Sequence, residues 1–211
     1  MKEVVLPESY MSVEKLGRAE FVEKKSRFIG YAKGALTKLE AEIFLEDIQQ
    51  KHPDSNMLYG YVCDYNGNTQ KYYDSHEPQG GMAILDSIKK RKLICVVCAV
   101  VRYYGGLHLG AGPLGRAFGR AATLAIDDAK PVTFYKSFMV EITIGYSYIG
   151  KVEYFFSNSI QKIISKEFGN VITLRTLTKR EDSVDLKNKL MDITSGNIKY
   201  NIIEELYSPW D

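Results

Sequence analysis

In the first part of the chain, apolar residues recur at every second position in some segments and at every third or fourth position in others. These two spacings predict strands interleaved with amphipathic helices. Leu39, Ile43, Phe44 and Ile48, for example, recur at helical spacing before His52-Pro53 ends the pattern. The predicted elements are a strand at Ser26–Ala35, a helix at Lys38–Lys51, strands at Met57–Tyr65 and Thr69–Tyr73 joined at Asn66-Gly67, a helix at Met82–Lys90, a strand at Leu93–Val101 and a helix that begins near Pro113.

The pattern starts again after Pro131, and its elements follow the order β-α-β-β-α-β. That order is typical of a ferredoxin-like sandwich. We therefore predict an α+β protein with two domains, residues 1–132 and residues 133–211. The predicted elements of the second domain are strands at Phe138–Gly145, Gln161–Phe168, Val171–Thr178 and Ile198–Leu206, and helices at Ile149–Ser159 and Asp182–Thr194.

Composition limits the class of protein. With 211 residues, of which 45% are hydrophobic, the chain can bury a core throughout. The first residues carry charges and no apolar leader, and no window approaches the roughly 18 consecutive apolar residues of a membrane helix. We expect a cytoplasmic protein without a membrane partner.

Three cysteines, Cys63, Cys95 and Cys98, give an odd number, and two of them lie in the apolar run LICVVCAVV. Residues three apart in a strand point to opposite faces, so Cys95 and Cys98 are predicted to be buried on opposite faces of one strand. A buried free thiol behaves as a small hydrophobic group, and no metal site is predicted.

A glycine-rich segment, RYYGGLHLGAGPLGRAFGRAA, lies between the apolar strand and the last helix of the first domain. Helix N-terminal amides with basic side chains nearby suit an anion such as phosphate. Arg116 and Arg120 are four residues apart on the predicted helix and share an exposed face, and Arg102 ends the strand near the same edge. The alternative is that the glycines only turn the chain and allow close packing.

This segment closely resembles the signature of the YigZ/IMPACT family. The resemblance rests on Arg102-Tyr103-Tyr104-Gly105-Gly106, on Leu109-Gly110-Ala111-Gly112 and on Arg116-Ala117-Phe118, with further similarity at Ser26-Arg27-Phe28-Ile29 and at Glu77-Pro78 followed by Gly80. It implies a first domain similar to domain 2 of a small-subunit ribosomal protein, a ferredoxin-like second domain similar to modules of elongation factor G, and proximity to RNA or the ribosome.

Two departures from the family pattern stand out. The polar loop reads Asp74-Ser75-His76-Glu77-Pro78-Gln79-Gly80-Gly81 and is shorter than the acidic loop of the family, and a histidine expected near Met57 is missing. A function that needs either feature is not implied for this chain.

The residues leave two classes of function open. In the first, cations and tyrosines of the first domain bind single-stranded RNA without catalysis. The family resemblance implies that the partner in this class is RNA, the ribosome or a translation-control protein. The candidate RNA or phosphate contacts are Arg102, Tyr103, Gly105, Gly106, Gly110, Gly112, Arg116 and Arg120.

In the second class, an enzyme acts on a phosphorylated or peptide-like small molecule at the glycine-rich loop and the segment with Asp74, His76 and Glu77. We predict the first class, a translation-associated regulator with no cofactor. Its support is the family resemblance and an excess of basic over acidic residues, 18 against 16, which lies wholly within residues 1–132.

Overall fold

The computed structural model describes residues 6–77 and 79–210. It divides the chain into two compact units, one that ends at Thr133 and one that comprises Phe134–Trp210. Both units combine helices with antiparallel sheets, so the protein is α+β. In the part of the chain that is described, no helix is long and apolar enough to span a membrane.

The described residues of the first unit form three helices and a five-stranded sheet in the order β2-β3-β6-β4-β5. The predicted helix Lys38–Lys51 and the predicted strand Thr69–Tyr73 are confirmed residue for residue. The elements are β1 (Ser9–Val13), β2 (Gly17–Glu23), β3 (Ser26–Gly34), α1 (Lys38–Lys51), β4 (Asn56–Cys63), β5 (Thr69–Tyr73), α2 (Gly80–Lys90), β6 (Val96–Tyr103) and α3 (Ala111–Asp128).

Strands β1 and β2 were not predicted. Their residues are half exposed, so polar and apolar positions are mixed in both strands. Neither strand has the continuous apolar run that marks the central strand. The two faces of the sheet carry separate cores. One face packs against α2 and α3, and the other packs against α1.

The prediction for Cys95 and Cys98 is wrong in one respect. Both thiols are buried, but Cys95 has a φ of +55° and precedes β6, which begins at Val96. The two residues are therefore not on opposite faces of one strand. Burial raises the pKa of Cys95 to about 12 and that of Cys98 further, so neither thiol is a thiolate at neutral pH.

The second unit follows the β-α-β-β-α-β order, with strands in the spatial order β10-β7-β9-β8. A short 3₁₀ turn, Tyr146–Tyr148, precedes α4. Its apolar core lies between the sheet and the helices. The elements are β7 (Pro131–Ile144), α4 (Ile149–Ser157), β8 (Lys162–Phe168), β9 (Ile172–Lys179), α5 (Ser183–Ile193) and β10 (Ile198–Trp210).

Candidate nucleic-acid interface

Arg102 lies near the end of β6 and points to the sheet face that α2 and α3 cover, where it is directly opposite Phe28 of β3. Its side chain is 6% exposed, and it forms an ion pair with Glu77 and donates from Nη2 to Ser26 Oγ at 3.1 Å. Glu77 therefore neutralises the positive charge of the Arg102 guanidinium inside the protein. The prediction that Arg102 lines an exposed cationic surface is therefore wrong.

The Arg102 network, defined as Ser26, Glu77, Arg102 and Gly105, joins three stretches that are distant in sequence. The amide of Gly105 donates to the same Ser26 hydroxyl at 3.3 Å. Each stretch carries part of the family resemblance, so the signature residues hold the loops at this end of the sheet together. Among the described residues, Arg102 Nε and Glu77 Oε2 are buried without a hydrogen-bond partner.

A row of aromatic rings and guanidinium groups extends from the Arg102 network to α3. Arg102 lies 5.2 Å from the ring centroid of Tyr104 and 5.6 Å from that of Phe28. Phe28 stacks on Phe21 of β2 with centroids 5.3 Å apart, and Arg120 lies 4.5 Å from the Phe21 centroid. Arg120 is thus held by a cation–π contact at the β2 edge of the sheet.

The glycine-rich loop is pressed against the β2–β3 turn. A Cβ on Gly105 would lie 1.9 Å from the carbonyl oxygen of Lys25, so only glycine permits this approach. Gly106 and Gly110 have φ of +86° and +78°, which side chains other than glycine rarely adopt. Because the backbones touch, Lys25 of the turn lies beside Gly105, the residue that follows Tyr104.

Exposed cations and an exposed aromatic ring therefore meet at this end of the first unit. Lys24 and Lys25 are exposed, and Tyr104 is 54% exposed with its ring 5.6 Å from that of His108. Within the described part of the chain, neither lysine has a carboxylate within salt-bridge distance. We call Lys24, Lys25, Tyr104, His108 and Arg120 the loop-end surface.

Arg116 and Arg120 are both exposed on α3, as expected, while Ala117, Phe118 and Ala121 face the core. Their side chains nevertheless extend in different directions. Arg120 lies over Phe21, whereas Arg116 lines the groove between α2 and α3 and is close to Gly112. The structure thus does not bring Arg102, Arg116 and Arg120 to one surface.

The segment with Asp74, His76 and Glu77 serves the fold in a way that the sequence did not indicate. Asp74 Oδ1 accepts from the amides of Gly81 and Met82 at 2.5 and 3.3 Å, so it caps the start of α2. Glu77 is held by Arg102, and only His76 is exposed. Pro78 is outside the described residues. Among those described, no group of three or more metal-ligating side chains occurs.

A hydrogen-bonded cluster on the other face of the sheet was missed. His52, just after α1, lies between the hydroxyls of Tyr31 and Tyr103, each 2.8 Å from a ring nitrogen. Tyr103 therefore faces α1 and not the loop-end surface. Nothing in the sequence pairs His52 with either tyrosine, because the pairing of β3 with β6 and the packing of α1 on the sheet bring them together.

Charged groups surround this cluster. Arg18 and Arg27 lie over the rings of Tyr31 and Tyr103, and both donate to Glu20. Hydrogen bonds from Arg27 and Arg18 lower the pKa of Glu20 to about 2. Burial, followed by the charges of Arg18, Arg27 and Lys51, lowers the pKa of His52, so its imidazole is neutral at physiological pH.

Comparison with known proteins gives the family. The model of the Impact N-terminal domain matches residues 24–126, which include the Arg102 network and the glycine-rich loop. An IMPACT family member of Thermus thermophilus is 33% identical over 61% of this chain and 70% of its own length. The chain belongs to the IMPACT family.

Other IMPACT family members match almost end to end. YvyE of Bacillus subtilis is 29% identical over 91% of this chain and 93% of its own length, and YigZ of Escherichia coli is 28% identical over 86% and 92%. A crystal structure titled as that of a hypothetical protein covers 94% of this chain and 99% of its own, with a TM-score of 0.60 and 24% identity. That structure supports the fold alone.

Proposed function

We propose that this IMPACT family member is a translation-associated regulator that binds single-stranded RNA at the loop-end surface. The observation that carries the proposal is the exposed ring of Tyr104 next to Lys24 and Lys25, which have no acidic partner among the described residues. Proteins that bind single-stranded nucleic acid combine aromatic rings for stacking with cations that contact phosphates.

The residues divide into two roles. A base stacks on Tyr104, whose ring is held from behind by the buried guanidinium of Arg102. The flanking phosphates pair with Lys24 and Lys25 and, at the β2 edge, with Arg120. Arg102 and Gly105 act as positioning residues, because Arg102 is buried under Tyr104 and Gly105 holds the loop against the turn.

Enzyme activity receives no comparable support. Asp74 uses one carboxylate oxygen to cap α2, and Glu77 is paired with Arg102, so both acidic side chains of the candidate active segment already have structural partners. A catalytic acid or base needs access to a substrate proton. Of the three candidate side chains, Asp74, His76 and Glu77, His76 is the exposed one.

We extend the proposal to the organisation of the chain. Residues 1–132 and 133–211 are proposed to be separate domains, the first of the type found in small-subunit ribosomal proteins and the second ferredoxin-like. The order β-α-β-β-α-β and the spatial order β10-β7-β9-β8 support the second assignment. A cytoplasmic location follows from the proposed role.

The first test measures binding of the full chain to a fluorescent single-stranded RNA across salt concentrations. Lys24→Ala combined with Lys25→Ala is expected to weaken binding and to reduce the salt slope by about 1.4, which is about 0.7 for each lost phosphate contact on a single strand. Tyr104→Leu is expected to weaken binding roughly 5- to 150-fold, from about 1–3 kcal/mol per stacked base.

Lys71→Ala is the matched control, because Lys71 is an exposed lysine on β5 whose ammonium lies near the ring of Tyr59. It removes one positive charge without touching the loop-end surface. If the parent does not bind RNA, or if Lys71→Ala weakens binding as much as each substitution in the turn, the loop-end surface is not an RNA interface.

A further inference from the structure

A second surface on the first unit, the groove between α2 and α3, is separate from the loop-end surface. The two helices run parallel, since Gln79 at the start of α2 lies near Gly115 and Arg91 at its end pairs with Asp127 of α3. The groove is open and has a volume of about 640 Å³. It is large enough for a row of side chains from a partner.

Two glycines of α3, Gly115 and Gly119, form the floor of the groove, and each is smaller than the packing of the two helices requires. Gly115 and Gly119 have no left-handed backbone, and a Cβ added to them would meet Gln79 at 3.6 Å and Ala83 at 3.5 Å, which are ordinary contacts. Alanine would therefore fit at both positions. Glycine inside a helix is less favourable than alanine, so the packing of the two helices does not by itself require glycine at these positions.

The walls of the groove carry charges in the order positive, negative, positive. Arg116 lies near the start of the two helices, and Asp86 and Lys90 follow along α2. All three are exposed, and no salt bridge within 4.0 Å joins any of them to another described residue. Since Gln79 lies near Gly115, Ala83 near Gly119 and Arg91 near Asp127, Arg116 is level with Gly80 of α2. Ten helical residues therefore separate the two cationic levels, which corresponds to roughly 15 Å at about 1.5 Å per residue.

We propose that this groove binds a helical segment of a partner protein, with small apolar residues against the glycine floor and two carboxylates about three turns apart that pair with Arg116 and Lys90. A basic side chain between the carboxylates pairs with Asp86. RNA fits less well, because no aromatic side chain lines the groove for stacking and Asp86 repels a phosphate between the two cations. Helix-in-groove recognition by complementary charges is a common mode of binding.

The test uses a synthetic acetylated and amidated alanine helix with Glu, Lys and Glu at positions i, i+7 and i+11, which lie on one face of the helix. Added to the isotope-labelled full chain, it is expected to shift the amide resonances of Ala83, Gly115 and Gly119. Arg116→Glu combined with Lys90→Glu is expected to weaken binding at least 10-fold. Arg120→Glu is the control, because Arg120 is exposed on the same helix but lies over Phe21, outside the groove.

The charge-swapped peptide, with Lys, Glu and Lys at the same positions, separates specific recognition from general helix binding. It is expected to bind the double variant better than the parent protein. The proposal is wrong if the first peptide leaves the three groove amides unshifted, if both peptides bind the parent equally, or if single-stranded RNA shifts the same amides. Loss of RNA binding at the loop-end surface leaves this test unaffected, since the two surfaces share no residue.

Discussion

The two faces of the first sheet are packed by different means. On the face toward α2 and α3, glycines bring helix backbone directly against strand backbone, and a Cβ on Gly30 would lie 2.3 Å from the carbonyl oxygen of Ala121. On the face toward α1, large side chains such as Tyr31 and Tyr61 fill the space, and a polar cluster around His52 closes the edge.

Because of this difference, we expect the two faces of the sheet to tolerate substitutions unequally. The α2/α3 face is fixed by backbone contact and by a buried ion pair, neither of which can relax without moving a whole helix or loop. The α1 face ends in hydrogen bonds between partly exposed side chains, which solvent can replace. We expect substitutions of equal size to have unequal costs on the two faces.

The largest effect is expected at the Arg102 network. Arg102→Met leaves Glu77 partly buried without its cation, which is expected to lower the free energy of unfolding by about 3–5 kcal/mol. Native-state hydrogen exchange of the β6 amides measures this for the first unit alone.

The matched control for the ion pair is the double variant Arg102→Met, Glu77→Gln. It removes both charges, so most of the lost stability is expected to return. A double variant as unstable as Arg102→Met alone would show that the methionine, and not the unpaired carboxylate, causes the loss.

The next effect is expected at the glycine contact. Gly30→Ala places a Cβ against the backbone of α3 and is expected to cost up to about 3 kcal/mol, because α3 must move away from the sheet. Urea unfolding followed by hydrogen exchange of α3 amides measures the loss.

Gly34→Ala is the control on the same strand, since the nearest atoms to its Cβ would be 3.8 Å away. We expect a change within about 0.5 kcal/mol. Equal costs at Gly30 and Gly34 would mean that backbone contact does not distinguish the α2/α3 face.

The central elements of the fold were predictable because their patterns are strong. The apolar run that overlaps β6 indicates a buried strand, and the helical spacing in α1 indicates a helix. The first two strands could not be predicted, since β1 and β2 are half exposed. The start of β6 could not be predicted either, because the hydropathy of an apolar run does not reveal that Cys95 has a left-handed backbone conformation.

The segment that forms the candidate site could be predicted from the sequence, but the contacts of its side chains could not. The glycine-rich loop was identified, but the role of Arg102 depends on Glu77, which is 25 residues away, and on Ser26, which is 76 residues away. Such pairing is decided by strand register and loop packing. The contact of Lys25 with Gly105 likewise depends on the fold, since 80 residues separate the two in sequence.

A smaller effect is expected on the α1 face. Tyr103→Phe removes the hydroxyl that contacts His52 Nδ1 but keeps the ring under Arg27, so we expect a loss of about 0.5–1.5 kcal/mol. Hydrogen exchange of the β6 amides gives the value on the same scale as the Arg102 variants. A loss as large as that of Arg102→Met would remove the distinction between the two faces.

The smallest effect is expected from pH, through His52. Burial and then the charges of Arg18, Arg27 and Lys51 lower its pKa in the folded chain below the ordinary 6.5, so the unfolded state binds the proton more tightly. The free energy of unfolding is therefore unaffected by His52 above that pH and falls as the pH is lowered through 6.5 toward the folded pKa. Glu20, with a pKa of about 2, stays charged throughout this range.

His52→Gln is expected to remove this part of the pH dependence, because glutamine keeps a hydrogen-bonding side chain that does not titrate. His108→Gln is the control, since His108 is exposed in the glycine-rich loop and contacts Tyr104. Comparing the free energy of unfolding at pH 7.5 and pH 5.5 for the three proteins measures the contribution. If the parent and His52→Gln lose the same stability between the two pH values while His108→Gln does not, the titrating group is in the loop and not on the α1 face.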